Sequence, residues 1–228
     1  MKQSLLLSTL FIGVLFASCK KSSNSPGYSQ PSVNYQLTAT NTSYAVAKNT
    51  TAANVVWTSA VAYPDMVKFE ATQNNVQATF TSTNKTQIDL MSSAGLTFGD
   101  FVLPPGVYDK ISLKIDLDKT GSTPVLQLQG NFTSGTFSAP ITLNVTQSIE
   151  LTTEQQNITI SNDSTYTAVT TIDLSAITSG ITADMLLNAQ LTGGTIVISA
   201  DSNHALYDIV LDHLQHEDHH CEFEHHHH

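Results

Sequence analysis

The stretch LPPGVYDKISLKIDL, residues 103–117, decides the fold class of this chain. From Ile111 to Leu117, apolar and polar residues alternate without a break. This period of two predicts a half-buried strand, because successive side chains of a strand leave opposite faces of the pleat. The Pro104-Pro105-Gly106 turn ends any preceding element and sets the direction of the strand. We therefore predict a sheet protein that is built outward from this strand.

Comparable strands, bounded by Gly, Asn, Ser and Pro, occur on both sides of this stretch. They are predicted at residues 33–39, 55–58, 66–83 (a hairpin), 88–90, 126–128, 141–151, 158–160, 166–174 and 196–198. The pair Asn74-Asn75 lies at the reversal of the hairpin. Asparagine tolerates the positive φ that a two-residue hairpin turn requires, so this pair is predicted to form the turn.

The hydrophobic period changes only near the C-terminal end. Residues 182–189 predict a short helix with Thr182 as N-cap and Asp184 in the first turn. Ser202 is predicted to cap a second helix, whose apolar stripe has helical spacing. The stripe consists of Leu206, Ile209, Val210 and Leu214. About ten strands predict an all-β fold, an antiparallel β-sandwich (immunoglobulin-like or related) with one or two short C-terminal helices.

Composition agrees with this class and argues against one kind of partner. The 228 residues are 40% hydrophobic, which is enough for a sizeable core, in one large sandwich or two smaller β domains. Only 12% are charged, the formal net charge is −10, and arginine is absent. Arginine is the preferred side chain for phosphates and guanine edges, so no nucleic acid is expected as a partner.

The first 32 residues indicate a cellular address. Residues 1–18 are predicted to be a lipoprotein signal peptide, with Lys2 at its start and an apolar stretch too short for a membrane span. The sequence LFASC, residues 15–19, resembles the bacterial lipobox, which implies cleavage before Cys19 and acylation of that cysteine. Several acyl chains give stable anchoring where one would be marginal. The alternative is an ordinary cleaved signal with a chance cysteine.

Residues 19–32 are predicted to be the lipidated cysteine followed by a flexible tether, because Ser, Asn, Pro and Gly dominate and no apolar period is present. Lys20 follows the cysteine, where some lipoproteins retained in the inner membrane have Asp. By analogy, the lipid anchor is expected to hold the protein in the outer membrane. Whether the domain faces the periplasm or the cell surface stays open.

Several short motifs, in this order along the chain, resemble uncharacterised outer-membrane lipoproteins of Gram-negative (Bacteroidota-type) bacteria. They are residues 57–59 (WTS), 67–71 (VKFEA), 103–108 (LPPGVY), 166–168 (YTA) and 196–200 (IVISA). The resemblance implies a β-sandwich domain of unknown function over residues 33–214. It brings no established activity and no catalytic residues.

Signals for chemistry inside the domain are weak. A Ser–His–Asp triad would have to use His204, the one histidine before the C-terminal cluster, and a surface role is the plainer interpretation. The pattern Asp116-x-Asp118-x-Thr120-Gly121 begins like a calcium loop, but Gln127 stands where a bidentate Glu is needed.

A sugar-cleaving or sugar-binding site would need carboxylates or aromatic platforms. The candidate carboxylates, all on or beside strands, are Asp109, Asp116, Glu150 and Asp173. Trp57, Tyr63 and Tyr108 are the aromatic candidates for a sugar platform, although single aromatics on strands are usually core residues.

Residues 215–228 are predicted to form a tail rich in histidine and acidic residues, and with His213 they make the most concentrated cluster in the chain. Imidazole, thiolate and carboxylate are ligands for zinc, nickel and copper. The predicted ligands are His213, His216, Glu217, His219, His220, Cys221, His225, His226, His227 and His228. Continuation of the second helix past Leu214 would put four of them on one face. A purification-tag remnant at the last four histidines, or a solvated acidic tail, are the alternatives.

Together these patterns predict a non-catalytic, lipid-anchored protein of the cell envelope that binds or displays a partner. The partners expected are the membrane, through the anchor, and an envelope protein or a glycan. No cofactor is required, and copper, nickel or zinc is the candidate ion for the tail. The alternatives are a metal-handling lipoprotein that uses this tail, and a carbohydrate-active enzyme or glycan-binding protein.

Overall fold

A computed structural model describes residues 32–46, 53–83, 86–92, 100–118, 123–162, 164–216 and 220–227. The predicted signal peptide, the lipidation site at Cys19 and residues 20–31 of the tether lie outside these ranges. Most of the described chain is extended. The first strand begins at Ser32, the last residue of the predicted tether.

Fifteen strands and two helices are present in the described residues. The strands are β1 (Ser32–Thr40), β2 (Ser43–Val46), β3 (Ala53–Ala62), β4 (Met66–Gln73), β5 (Val76–Ser82), β6 (Ile88–Asp89), β7 (Asp100–Val102), β8 (Gly106–Leu117), β9 (Leu126–Ser134), β10 (Phe137–Val145), β11 (Ile149–Ile160), β12 (Ser164–Asp173), β13 (Leu191–Thr192), β14 (Thr195–Ile198) and β15 (His220–His227). The helices are α1 (Ala183–Leu187) and α2 (His204–His216). The prediction of an all-β protein with two short helices near its C-terminal end is confirmed.

The described strands form three sheets that share one core. A seven-stranded sheet has the order β13-β14-β10-β9-β3-β2, with β6 also paired to β3. The two four-stranded sheets have the orders β11-β8-β4-β5 and β15-β12-β1-β7. Most neighbouring strands are antiparallel, whereas β1 pairs with β12, and β10 with β14, in parallel. Buried apolar residues from all three sheets belong to one continuous cluster, which makes the fold sandwich-like.

The strand predicted to organise the fold lies inside one of these sheets. β8 pairs with β11 on one side and with β4 on the other. Its alternating apolar residues are all buried, with 1% or less of each exposed: Ile111, Leu113, Ile115 and Leu117. The polar residues between them lie on the opposite face, as the period of two requires. The prediction for residues 111–117 is therefore confirmed.

The predicted hairpin is also confirmed. Gln73 pairs with Val76, so Asn74 and Asn75 alone form the turn between β4 and β5. Both asparagines have positive φ, 50° and 63°. Positive φ at both central residues is the backbone of a type I′ turn, whose twist matches that of the flanking strands.

The long strand predicted over residues 141–151 is wrong, because two sheets divide it. β10 ends at Val145 in the seven-stranded sheet, and β11 begins at Ile149 in a four-stranded one. Between them the backbone N–H of Thr146 donates to the hydroxyl of Tyr207 on α2, at 3.3 Å. β11 then continues through Asn157, at φ 58°, to Ile160, so residues 158–160 belong to this same strand.

The two helices begin differently. In α1, Thr182 caps the helix as predicted, and its hydroxyl accepts a hydrogen bond from the backbone N–H of Met185. The cap predicted at Ser202 is wrong, because Ser202 is tied to Ser199 by two backbone hydrogen bonds. The carbonyl of Asn203 instead accepts the first helical bonds of α2. No helix in the described residues is long and apolar enough to span a membrane.

A tyrosine fixes the corner where the chain passes from β11 to β12. The side chain of Tyr166, near the start of β12, is 4% exposed. Its hydroxyl accepts a hydrogen bond from the backbone N–H of Ser161 at 2.8 Å and donates one to the carbonyl of Thr159 at 3.3 Å. Because β11 and β12 belong to different sheets, this side chain braces the crossing between them.

Candidate functional site

The outer face of the sheet β11-β8-β4-β5 carries the densest set of charged side chains whose contacts the structure describes. We call it the charged face. It comprises Lys68, Glu70, Lys110, Lys114, Asp116, Glu150 and Glu154. These residues occupy the positions of β4, β8 and β11 that alternate with core residues, so their side chains share one side of the sheet.

The register of strand pairing places these side chains in rows across the sheet, and the sign of the charge alternates from one row to the next. Glu150 lies opposite Asp116, the next charged row pairs Lys114 with Lys68, and Glu70 sits in the row after that. Ion pairs therefore run diagonally or along one strand. Lys114 contacts Glu150, Lys110 contacts Glu154, and Lys68 lies 2.7 Å from Glu70. The three lysines offset most of the negative charge of the four carboxylates on this face.

Asp116 and Glu150 are two neighbouring carboxylates of the charged face whose pKa values are shifted by the groups around them. The hydrogen bond from Lys114 holds the pKa of Glu150 below its ordinary value and raises the pKa of the lysine itself. Burial raises the pKa of Asp116, and the neighbouring charges of Glu150, Asp118 and Asp65 raise it further, against the pull of Lys114. Two carboxylates with opposite shifts thus lie side by side.

The structure brings together only these two of the four carboxylates that the sequence suggested for sugar chemistry. Asp173 closes the turn after β12, where its carboxylate accepts hydrogen bonds from Ser175 and Asn41. Asp109 is exposed on β8. Asp116 and Glu150 lie on the face of a sheet, with 25% and 55% of their side chains exposed. This geometry suits contact with a polar partner surface.

Two of the three aromatic candidates for a sugar platform are buried. Trp57 and Tyr108 are core residues, 2% and 3% exposed. The Tyr108 hydroxyl donates to the carbonyl of Pro104, at 2.7 Å, and so fixes the turn before β8. The hydroxyl of Tyr63 donates to the side chain of Gln87. Because Trp57 and Tyr108 are buried, neither can serve as the sugar platform for which the sequence made them candidates.

A small apolar cavity of about 10 Å³ lies beside Trp57, Tyr44 and Thr178. The hydroxyl of Thr178 donates to the hydroxyl of Tyr44, and burial raises the pKa of this tyrosine in spite of that bond. The buried Nε1 of Trp57 lies near enough to Tyr44 to lower its pKa slightly, but the pair lacks full hydrogen-bond geometry. A cavity of this size holds about one water molecule.

His204 lies on the surface at the start of α2. Its Nδ1 is 3.0 Å from the carbonyl of Ala200, and its Nε2 is 3.5 Å from Asp208 one helical turn later. The ring stacks on Tyr207, with the ring centroids 6.2 Å apart. Both ring nitrogens are thus engaged without a serine, which favours the surface role over a triad.

The described part of the C-terminal cluster is divided between α2, which ends at His216, and β15. Residues 220–227 form β15, whose backbone pairs antiparallel with β12 and sets Cys221 opposite Thr170 and His225 opposite Tyr166. Glu217 lies outside the described residues, and His220 and Cys221 belong to β15, so the single helical face that a longer α2 would have given His213, Glu217, His220 and Cys221 does not form.

Of the predicted metal ligands, His213 is the one whose side chain the structure describes. Its Nε2 lies 3.2 Å from the hydroxyl of Ser179, and its buried Nδ1 has no hydrogen-bond partner within the described part of the chain. Glu217, His219 and His228 lie outside the described residues. Among side chains within the described ranges, no group of three or more His, Cys, Asp or Glu is placed to hold a metal ion.

The pairing of Asp116 with Glu150 was not predicted from the sequence. The alternation over residues 111–117 places Asp116 on the outer face, but the residue opposite it depends on strand order. The sequence does contain part of this information, because Glu150, Thr152 and Glu154 alternate with the residues that are buried on β11 and so share the outer face.

Comparisons with known proteins give no further lead. No protein-family model matches the chain. Neither a curated protein nor a solved structure matches it.

Proposed function

We propose that this protein is a lipid-anchored component of the bacterial outer membrane whose β-sandwich binds or displays a partner without catalysing a reaction. The observation that carries the proposal is the order of segments at the N-terminal end. A lipobox-like sequence ends at Cys19, polar residues 20–31 follow, and β1 begins at Ser32. Such a spacer would let the folded body stand off from the membrane to which the cysteine is attached.

The proposed body is an immunoglobulin-like or related sandwich, the finer fold that the strand pattern predicts. Two features support this finer assignment. The corner formed by the Tyr166 hydroxyl and the backbone of residues 159–161 is similar to the tyrosine corner of such sandwiches. Tyr108 has a related bond, to the carbonyl four residues before it. Sandwiches of this architecture commonly present loops and faces to partners, and an envelope protein is the partner that the charged face fits best.

The anchoring is tested by changing one residue. Cys19→Ser should move the full-length protein from the membrane fraction to the soluble fraction, and should abolish incorporation of a radiolabelled fatty acid. Cys221→Ser is the matched control, because Cys221 is the other cysteine in the chain, and this variant should remain in the membrane and keep the label. If Cys19→Ser stays in the membrane with its label, the anchor is not at Cys19 and the proposal fails.

We propose metal handling by the C-terminal cluster as a second candidate function. The supporting observation is that residues 220–227 form a strand, which fixes the spacing of four histidines on an ordered backbone. Ordering lowers the entropic cost that a free tail would incur on binding an ion. Copper or nickel should bind more tightly than zinc or manganese, following the usual order of divalent affinities.

Titration calorimetry with copper, nickel and zinc salts tests this second candidate. His225, His226 and His227 are replaced together by Gln, which leaves the length of β15 unchanged. A truncation at Asp212 would be unsuitable, because it removes Leu214, which is 1% exposed and belongs to the core. The replacement should weaken binding, and binding by the parent should fade below about pH 6.5, the free histidine pKa. Equal affinities in parent and variant would contradict the candidate.

A further inference from the structure

The open edge of β5 is the feature from which we draw a further inference, and it is independent of the anchor. β5 is the last strand of the sheet β11-β8-β4-β5 and pairs with β4 alone among the described strands. Its two-residue turn makes Gln73 and Val76 a hydrogen-bonded pair, so the backbone groups of the even-numbered residues point toward β4. The backbone N–H and C=O groups of Gln77, Thr79 and Thr81 consequently point away from the sheet.

The other described edges carry features that discourage pairing, and β5 lacks them. β11 has exposed Glu150 and Glu154 and a left-handed residue, Asn157 at φ 58°, and the edge strand β15 contains Glu222 and Glu224. The edge strands β2, β7 and β13 have only four, three and two residues. β5 has seven residues, VQATFTS, with no charge, proline or glycine. Short strands, charges and bulges are the usual protection of sheet edges, so an unprotected edge of this length is typical of a pairing site.

We propose that β5 pairs antiparallel with β5 of a second copy of this chain, with Thr79 on the two-fold axis. This register joins Thr79 to Thr79 of the other copy and Gln77 to Thr81, so all three outward-pointing residues find hydrogen-bonded partners. On the core side, Ala78 lies opposite Phe80 of the other copy, a small residue beside a large one. Phe80 is half-buried and packs against Phe69 with the rings tilted and their centroids 6.2 Å apart, so the pairing extends an existing apolar layer.

Charge does not oppose this arrangement, although each chain has a net charge of −10. Threonine and glutamine face each other across the axis on the polar side. Glu70 lies opposite Thr79 on β4, and Lys68 compensates its charge at 2.7 Å. Two copies of Glu70 would be three strand spacings apart, roughly 14 Å. That distance exceeds the Debye length of about 8 Å at physiological ionic strength.

Disulfide trapping tests the register in the full-length protein with Cys221→Ser as background. Opposed residues of a hydrogen-bonded pair have Cα atoms about 5.5 Å apart, within the range of a disulfide. Thr79→Cys should therefore give a covalent dimer under mild oxidation. Gln77→Cys is the matched control on the same strand, because its two copies would be at least ~13 Å apart and should not cross-link. Adding Thr81→Cys to Gln77→Cys should restore the dimer.

The same cysteine variants separate a failure of the proposed β5 pairing from a failure of the proposed lipid anchor. A dimer in the Cys221→Ser background before any β5 change would mean that Cys19 has a free thiol, which counts against lipidation and not against β5 pairing. The trapping is then repeated with Cys19→Ser added. No dimer from Thr79→Cys, or equal yields from Thr79→Cys and Gln77→Cys, would overturn the proposed pairing.

A charge on the axis provides an independent readout of oligomeric state. Thr79→Lys places two like charges opposite each other, and sedimentation velocity should report a dimer dissociation constant raised about tenfold or more. Thr133→Lys is the control, since Thr133 is an exposed strand residue of the seven-stranded sheet, and it should leave association unchanged. A parent protein that sediments as a monomer at all concentrations would also overturn the proposal.

Discussion

Asp116 and Glu150 lie directly opposite each other on neighbouring strands, yet their pKa values shift in opposite directions. Lys114 contacts Glu150 closely and lies 3.9 Å from Asp116. Asp116 is the more buried of the two, with 25% of its side chain exposed against 55% for Glu150. The lysine therefore stabilises one carboxylate, while burial and like charges disfavour the other.

Glu150→Gln should destabilise the protein at neutral pH by a few tenths of a kcal/mol, as is usual for exposed ion pairs. Because folding lowers the pKa of Glu150, its contribution is present above its ordinary value of 4.5 and is lost as pH falls through the folded-state value. Urea unfolding at pH 7 and pH 3 measures this difference. An equal deficit at both pH values would contradict the role of the charge.

Asp116→Asn should have the opposite effect, leaving stability unchanged or slightly higher at pH 7. Folding raises the pKa of Asp116, so its ionised form is disfavoured in the folded state at neutral pH. As pH falls through the raised pKa the carboxyl protonates, and any difference from the parent should disappear. The same unfolding series tests this expectation. A larger loss at pH 7 from Asp116→Asn than from Glu150→Gln would refute it.

Asp173→Asn should destabilise the protein by about 1–2 kcal/mol at pH 7, since several donors lose a charged acceptor. Burial tends to raise the pKa of Asp173, but bonds from Ser175, Asn41 and the backbone N–H of Ala176 outweigh it and lower the pKa. The contribution is therefore present above the ordinary value of 3.8 and lost as pH falls through the lower folded value. Thermal unfolding at pH 7 measures this loss, and Asn41→Gly, which removes one donor without straining the left-handed backbone at φ 52°, should cost less than Asp173→Asn.

Replacing Asn74 and Asn75 together by Val should cost about 1–3 kcal/mol, because β-branched residues are strained at positive φ. Replacement of both by Gly is the matched control, since glycine adopts this backbone without strain. Thermal unfolding of the three proteins measures the difference. Equal midpoints for the Val and Gly variants would show that the turn does not require its left-handed backbone.

Gly130→Ala should destabilise the protein by about 1–3 kcal/mol through a clash that side-chain movement cannot relieve. A Cβ on Gly130 would lie 2.2 Å from the carbonyl oxygen of Val56 and 2.8 Å from the Cα of Trp57, both backbone atoms of β3. Asn131→Ala, at the next and exposed position of β9, should stay within about 0.5 kcal/mol of the parent. Chemical denaturation of both variants tests the prediction, and similar midpoints would contradict it.

The elements that were predicted well depend on local geometry. Alternation over residues 111–117 places four apolar side chains on one face whatever the neighbouring strands are, and all four are buried. The turn at Asn74-Asn75 and the cap at Thr182 follow equally from backbone preferences of a few residues. The cap of α2 was misplaced because a serine before an apolar stripe looks the same whether or not its backbone is paired elsewhere, as that of Ser202 is with Ser199.

The candidate surfaces depended on pairing between distant segments, and local patterns contain no such information. The alternation over residues 141–151 looks continuous, yet the chain leaves one sheet at Val145 and enters another at Ile149. The histidines after α2 fit a helical spacing in the sequence, whereas pairing with β12 gives residues 220–227 the spacing of a strand.

By itself the sequence determined the all-β class, the main strands, a tight turn and the polar character of the outer positions, because these depend on period and on the φ preferences of single residues. Only the tertiary structure decided that Asp116 meets Glu150, that Trp57 and Tyr108 are core residues, and that β5 ends its sheet. The physical reason is that strand order and register arise from the packing of side chains far apart in the chain, and many orders satisfy the same alternation.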